Sequence, residues 1–237
     1  MDNLKVTLKE SARTSKEARK SKVLIIIPSY NEEKHIKKVI EKCLKSSKYV
    51  FAVDDGSSDN TSKEIKKTRA VYLLNKTNKG KGYSLKRGFN YAVKNNFDIV
   101  ITIDADGQHN PKLIPKFVKE IEKGFDVVIG TRRKRHSSIP KIRRITNFLL
   151  SLIFSAASRT WIKDTQSGYR AFNVKVLKNL KLKTNRYETE SEILMKLGRR
   201  GAKFGKVNIP VIYRDEKSSI NPVKDAVRFV KVLKHRK

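Results

Sequence analysis

Cysteine is almost absent from this sequence of 237 residues: Cys43 stands alone, so no disulfide can form within the chain, and a reducing compartment fits. Its place in a helical apolar pattern makes it a packing residue rather than a reactive thiol. Histidine is scarce as well. The four, His35, His109, His136 and His235, are scattered, and with one cysteine they cannot furnish a Cys/His zinc site. Long apolar runs are missing too. The longest, Phe148 to Ala157, falls short of the roughly 20 residues that cross a bilayer. No apolar stretch with a cleavage site marks the N-terminus, so a secretory signal is not expected and an intracellular protein is. The phosphate loop G-x-x-x-x-G-K-[ST] does not occur, and "GKGYSLKRG" departs from G-x-G-x-x-G because Leu85 takes the place of the third glycine. These absences set aside a P-loop NTPase and a dinucleotide dehydrogenase.

Acids are the remaining shortage. Lys and Arg number 55 against 23 Asp and Glu, a formal charge of +32. Such a field draws in anions, whether nucleic acid, anionic lipid or phosphorylated substrates. The basic residues are spread over nearly every segment, without a recognised nucleic-acid motif or interleaved aromatic platform, so nucleic-acid binding is not the expected function.

Residues 1–21 are polar and Lys-rich and read as an extension; residues 22–237 read as one domain, with no internal repeat and no separating linker. "KVLIIIP" is a β-branched run suited to a strand covered on both faces and ended by Pro28. Asn31 is then placed to cap a helix bearing Ile36, Val39, Ile40, Cys43 and Leu44 at helical spacing. The unit recurs. "KYVFAVDDGSSD" and "RAVYLLN" are strands, the latter before a helix with Leu85, Phe89 and Ala92; "FDIVITIDADG" precedes a helix with Leu113, Ile114, Phe117, Val118 and Ile121; "FDVVIGTR" is a fifth strand. This alternation predicts an α/β fold, a mostly parallel sheet flanked by helices whose ligands bind beyond the strands' carboxyl ends. After Arg132 the alternation stops, and a basic linker, the apolar segment 145–161, "KDTQSGYRAF", a helix around Ile193 to Leu197, the strand "KVNIPVIYR" and a basic C-terminal helix follow. Residues 22–132 thus form one half of the domain and 133–237 the other.

Three polar loops fall at the predicted carboxyl ends: "PSYNEE", "DDGSSD" and "DADGQ". In extended chain, residues two apart point the same way, so Asp104 and Asp106 face one point, with Gln108 in reach after a turn at Gly107. Oxygen ligands so placed suit a hard cation, Mg²⁺ or Mn²⁺, that bridges a diphosphate. An isolated D-x-D would more often shape a turn or cap a helix; two further polar loops at equivalent positions favour the cation. Ser57 and Ser58 have no histidine nearby and read as helix caps rather than nucleophiles. His109 reads as a loop residue beside the site.

"IIIPSYNEEKHI", "VDDGSSDNT", "NKGKG", "DADGQHNP", "IGTRR" and "DTQSGYRAF", in this order from about Lys22 to Asp225, resemble the family 2 glycosyltransferases and, within them, the dolichyl- or polyprenyl-phosphate mannose and glucose synthases. The resemblance implies a GT-A fold, a GDP- or UDP-hexose donor, Mg²⁺ or Mn²⁺ and inverting transfer. It places nucleotide-binding positions at Pro28, Tyr30, Glu32, Val53 and Asp55, with Asp104 and Ala105 against the nucleotide. The metal falls to Asp106 and Gln108 with Asp104, and the phosphates to Arg132 and Arg214; Asp104, Asp106 and Arg132 are the catalytic set. Where such synthases carry a Ser-Lys pair, this chain reads Ser218, Ser219, Ile220, which leaves that phosphate contact without its usual lysine unless Lys217 takes its place.

The expected acceptor is a polyprenyl phosphate. A hydroxyl acceptor is the alternative, and would need a general base such as Asp164, Glu188 or Glu190, whereas a phosphate is already anionic. Seven basic residues between Arg132 and Arg144 precede the apolar segment 145–161, a pattern suited to an anionic membrane surface. The expected location is therefore cytoplasmic, peripheral on the inner face of the membrane. An apolar helix would serve a dimer as readily, so the sequence assigns no oligomeric state.

Overall fold

A computed structural model describes residues 20–132 and 167–210. Strand β1 (Val23–Ser29) is followed by α1 (Ile36–Leu44), β2 (Val50–Asp54), α2 (Thr61–Lys66), β3 (Val71–Leu74), α3 (Lys81–Lys94) and β4 (Ile99–Thr102). A 3₁₀ turn (Pro111–Leu113), α4 (Ile114–Glu122) and β5 (Val127–Arg132) come next, then β6 (Arg170–Asn173), α5 (Val174–Leu177), α6 (Glu188–Arg199) and β7 (Phe204–Ile209). The strands form one seven-stranded sheet in the order β3-β2-β1-β4-β6-β5-β7. All neighbours are parallel except those of β6, which is antiparallel to both β4 and β5.

The continuous apolar run of β1 is explained by burial on both faces. Leu24 and Ile26 pack with Phe51, Val53, Leu85, Phe89 and Ile193 on one side. Ile25 and Ile27 pack with Ile36, Ile40, Cys43, Ile114 and Phe117 on the other. Helices α3, α5 and α6 therefore cover one face, and α1, α2 and α4 the opposite one. Burial of the Cys43 thiol pushes its pKa up to about 12, the behaviour of a packing residue.

Three local expectations need correction. Strand β1 runs through Pro28 to Ser29. Its ladder with β4 ends at Ile26 and Thr102, so the missing N–H of Pro28, which would face β4, removes no sheet bond. Strand β6 was not expected. It is four residues long and begins at Arg170, 1 % exposed, and so short a run opening on a buried arginine carries no strand pattern. It also makes the sheet mixed but still mostly parallel, as the alternation predicts. Strand β7 starts at Phe204, ahead of "KVNIPVIYR", and the end of that stretch lies outside the described residues.

The chain reverses its direction of growth at β1, going first to β2 and β3 and then back to β4 on the other side. Such a switch point leaves a crevice at the strands' carboxyl ends. The loops after β1, β2 and β4 all open there.

Phe117 is fully buried and stacks on Tyr169 at 4.3 Å between ring centroids. Phe117→Ala is expected to lower the unfolding free energy by about 3–5 kcal/mol, read as a lower urea midpoint at an unchanged denaturant slope. At pH 8 the Cys43 thiol should resist a soluble disulfide reagent in the folded wild type and react once urea unfolds it.

Candidate active site

The loops after β1 and β2 are joined by reciprocal hydrogen bonds. Asn31 Oδ1 accepts from the Ser58 N–H at 2.9 Å, and Ser57 Oγ accepts from the Asn31 N–H at 2.9 Å. Thr61 Oγ1 and Asp59 Oδ2 take the N–H groups of Glu32 and Glu33 at 2.7 and 3.1 Å. Asn31 is therefore not the cap of α1. It sits at φ +56°, a left-handed position that asparagine tolerates, and His35 occupies the cap position. Ser57 and Ser58 are not caps either: Ser57 Oγ donates to Asp54 Oδ1 at 2.6 Å, and Asn60 precedes α2. These polar side chains fasten loop to loop because a neighbouring loop's backbone stands closer than their own helix.

Asp55 is 3 % exposed and fixes a third segment. Its Oδ1 accepts from Asn75 Nδ2 at 2.7 Å and the Lys79 N–H at 3.1 Å, while Oδ2 accepts from the Gly80 N–H at 2.6 Å. Gly80, at φ +101°, then opens α3, and a Cβ there would lie 2.5 Å from the Asn185 carbonyl oxygen. Glycine is required for both reasons.

The acid loop follows β4. Ala105 is buried, Gly107 turns at φ +71°, and Asp106 Oδ1 accepts from the Gln108 N–H at 2.8 Å. Asp104 is contacted on both oxygens, with Lys81 Nζ 2.6 Å from Oδ1 and His109 Nε2 3.3 Å from Oδ2. Lys81 reaches Glu190 Oε2 on α6 at 3.1 Å. Behind it, Arg170 Nη1 donates to the Glu190 carbonyl oxygen at 3.0 Å. Burial works to raise the Asp104 pKa, but the Lys81 charge and the His109 hydrogen bond hold the carboxyl well below its ordinary range. Burial likewise opposes the charge on Lys81, and the two carboxylates overcome it and raise its pKa. Asp106 goes the other way, raised first by burial and then by the negative charge of Asp104.

Two carboxylates and a side-chain amide, Asp104, Asp106 and Gln108, form an oxygen donor set that suits a hard divalent cation and would relieve that repulsion. No group of three His, Cys, Asp or Glu side chains converges as a metal site among the described residues. A cleft of about 250 Å³ lined by Asp126, Lys175, Arg200 and Gly201 opens at the opposite sheet edge and shares no residue with this site.

Pro28, Tyr30, Glu32, Val53, Asp55, Asp104, Ala105, Asp106 and Gln108 thus all belong to β1, β2, β4 or the loops at one sheet edge. Tyr30 is exposed there, whereas Pro28 and Val53 are buried in the strands. Arg132 ends β5 at the same edge, two strands from β4. Arg214 and Asp164 lie outside the described residues, as do the basic linker, the segment 145–161 and Ile220. Among the described residues, no helix is long and apolar enough to cross a membrane.

Sequence reasoning missed the parts that come from afar. Lys81 lies within "NKGKG", and the signal that could have found it is that a cation in the first turn of a helix opposes the helix dipole and so serves another purpose. Gly168, from "QSGYR", packs against Asp104, and a Cβ there would lie 2.4 Å from Oδ2.

A family model, Glycosyl transferase family 2, matches residues 24–181. A UDP-N-acetylglucosamine–dolichyl-phosphate N-acetylglucosaminyltransferase of Methanococcus voltae is 34% identical over 218 residues, covering 81% of this chain and 86% of that protein. A dolichol-phosphate mannosyltransferase of Pyrococcus furiosus is 31% identical over 189 residues, 74% of this chain and 53% of that one. In fold, glucosyl-3-phosphoglycerate synthase of Mycobacterium tuberculosis, crystallised with Mn²⁺, UDP and glucosyl-3-phosphoglycerate, matches at a TM-score of 0.71 and 20% identity, over 90% of this chain and 79% of that chain.

Gly168→Ala drives a methyl group into the Asp104 carboxylate and should destabilise the fold by about 1–3 kcal/mol. In an Asp104→Ala background the same change should cost far less, because the colliding atoms are gone. Denaturant midpoints of the four proteins check this, and equal costs in both backgrounds would refute the close packing.

Proposed function

This chain belongs to glycosyl transferase family 2, and from that premise we propose that it moves a hexose, mannose or glucose, from a GDP- or UDP-sugar to a polyprenyl phosphate. The observation that carries this reading is the convergence of the acid loop, the fastened loops after β1 and β2, and Lys81 at one switch point. The lipid-phosphate acceptor is supported by relatives more than 30% identical whose names include dolichyl or dolichol phosphate.

Tyr30, Glu32 and Asp55 hold the nucleoside, with Asp104 and Ala105 against the nucleotide, while Pro28 and Val53, buried in their strands, back these loops from within the sheet. Asp55 is kept rigid for this by Asn75, Lys79 and Gly80. Asp104, Asp106 and Gln108 would hold Mg²⁺ or Mn²⁺, which supplies positive charge to the diphosphate as it departs. Arg132 and Arg214 add guanidinium contacts to the phosphates. An acceptor phosphate oxygen attacks the anomeric carbon on the face opposite the diphosphate, the carbon–oxygen bond to the diphosphate breaks, and the sugar inverts through an oxocarbenium-like state. The acceptor is already anionic, so no protein base is required. That agrees with Glu190, whose carboxylate is in contact with Lys81. The basic residues from Arg132 to Arg144 and the apolar segment 145–161 bring the domain to the anionic inner face of the membrane as a peripheral protein.

Incubation with polyprenyl phosphate and a panel of GDP- and UDP-sugars, UDP-N-acetylglucosamine included, should yield a sugar–phosphate lipid with mannose or glucose. Transfer to hydroxyl acceptors alone would sink the proposal. Asp106→Asn should lower divalent-dependent nucleotide affinity about tenfold or more by calorimetry, with the fold retained by circular dichroism.

A further inference from the structure

Lys81 carries one positive charge and faces two carboxylates, Asp104 at 2.6 Å and Glu190 at 3.1 Å. The side chains are 18 %, 26 % and 12 % exposed, respectively, so water screens the contacts only in part. The arrangement is built into the backbone. Helices α3 and α6 touch where Lys81 and Glu190 meet: a Cβ on Gly82 would lie 1.8 Å from Thr189 Oγ1. The Tyr83 N–H donates to the Asn185 carbonyl at 2.8 Å, and Arg170 holds the Glu190 carbonyl. Glu190 is thus placed from behind, and Lys81 is shared because both acceptors are fixed.

We propose that Glu190 is a positioning residue which, by drawing on the charge of Lys81, sets how much negative charge Asp104 keeps for a divalent cation. This rests on the reading of Asp104, Asp106 and Gln108 as the residues that hold that cation. Asp104, Lys81 and Glu190 sum to one negative charge. Without the Glu190 charge the sum is zero, and Lys81 turns wholly to Asp104 and competes with the cation. Without the Lys81 charge the sum is two negatives, and the cation gains. The pair tempers the site: Lys81 keeps the acids from trapping the cation, and Glu190 keeps Lys81 from replacing it.

Mn²⁺ binding followed by water-proton relaxation, with neither donor nor acceptor present, tests this without turnover. Glu190→Gln should weaken Mn²⁺ binding about tenfold and Lys81→Met should tighten it several-fold, since one unit charge changes sign of effect between them. The double variant, with the wild-type sum of charges, should return to within about threefold of wild type. A merely structural role would weaken binding in both single variants. Shifts in the same direction, or no shift, overturn the proposal. Thermal midpoints confirm folding, and Lys81→Gln makes the same charge change should Lys81→Met not fold. If wild type binds Mn²⁺ no more tightly than Asp106→Asn, the cation site itself falls and this inference with it; if wild type binds and the single variants do not diverge, only this inference falls.

Discussion

Pairing of β1 with β2 on one side and β4 on the other is the constraint on which the rest depends. Hydrogen bonds of a central parallel strand alternate between its neighbours, so one strand can hold both, and the chain must then reverse its order. The reversal parts the outgoing loops at the carboxyl edge. Polar residues that would be costly inside the sheet, such as Asp55 and Asp104, gather at this opening and are met there by N–H groups of a neighbouring loop or by Lys81.

The second organising effect is alternation of charge between the acid loop and helix α6. Asp104, Lys81, Glu190 and Arg170 succeed one another from the acid loop to α6 and β6. Like charges this close and partly buried would push each other's pKa apart, as Asp104 does to Asp106; interposed cations make the cluster tenable. A chain of net charge +32 thus pairs the acids at this edge with its own cations. Small residues provide the clearance. Gly80, Gly82 and Gly168 each stand where a methyl group would overlap a neighbouring segment.

Much of this was legible. The β-branched run of β1, the spacing of Ile36, Val39, Ile40 and Cys43, and the polar loops after β1, β2 and β4 follow from local rules of periodicity and loop placement, and local rules are written in neighbouring residues. The errors are equally physical. Asn31, Ser57 and Ser58 were assigned to their own helices because capping is the commonest local use of such side chains, whereas the fold offered a nearer partner in the adjacent loop. Strand β6 escaped because its strand character comes from the two neighbours that complete its ladders.

By itself the sequence determined the α/β alternation, the edge of the sheet that carries the polar loops, and the membership in its family carried by six ordered motifs. Only the tertiary structure decided which distant residues complete the site. Lys81 meets Asp104 and Glu190 across separations of 23 and 109 positions, and Gly168 meets Asp104 across 64. No periodicity spans such gaps. They close because burial of both faces of one sheet brings α3, α6 and the start of β6 to the same edge, and the charge of each group there depends on the others.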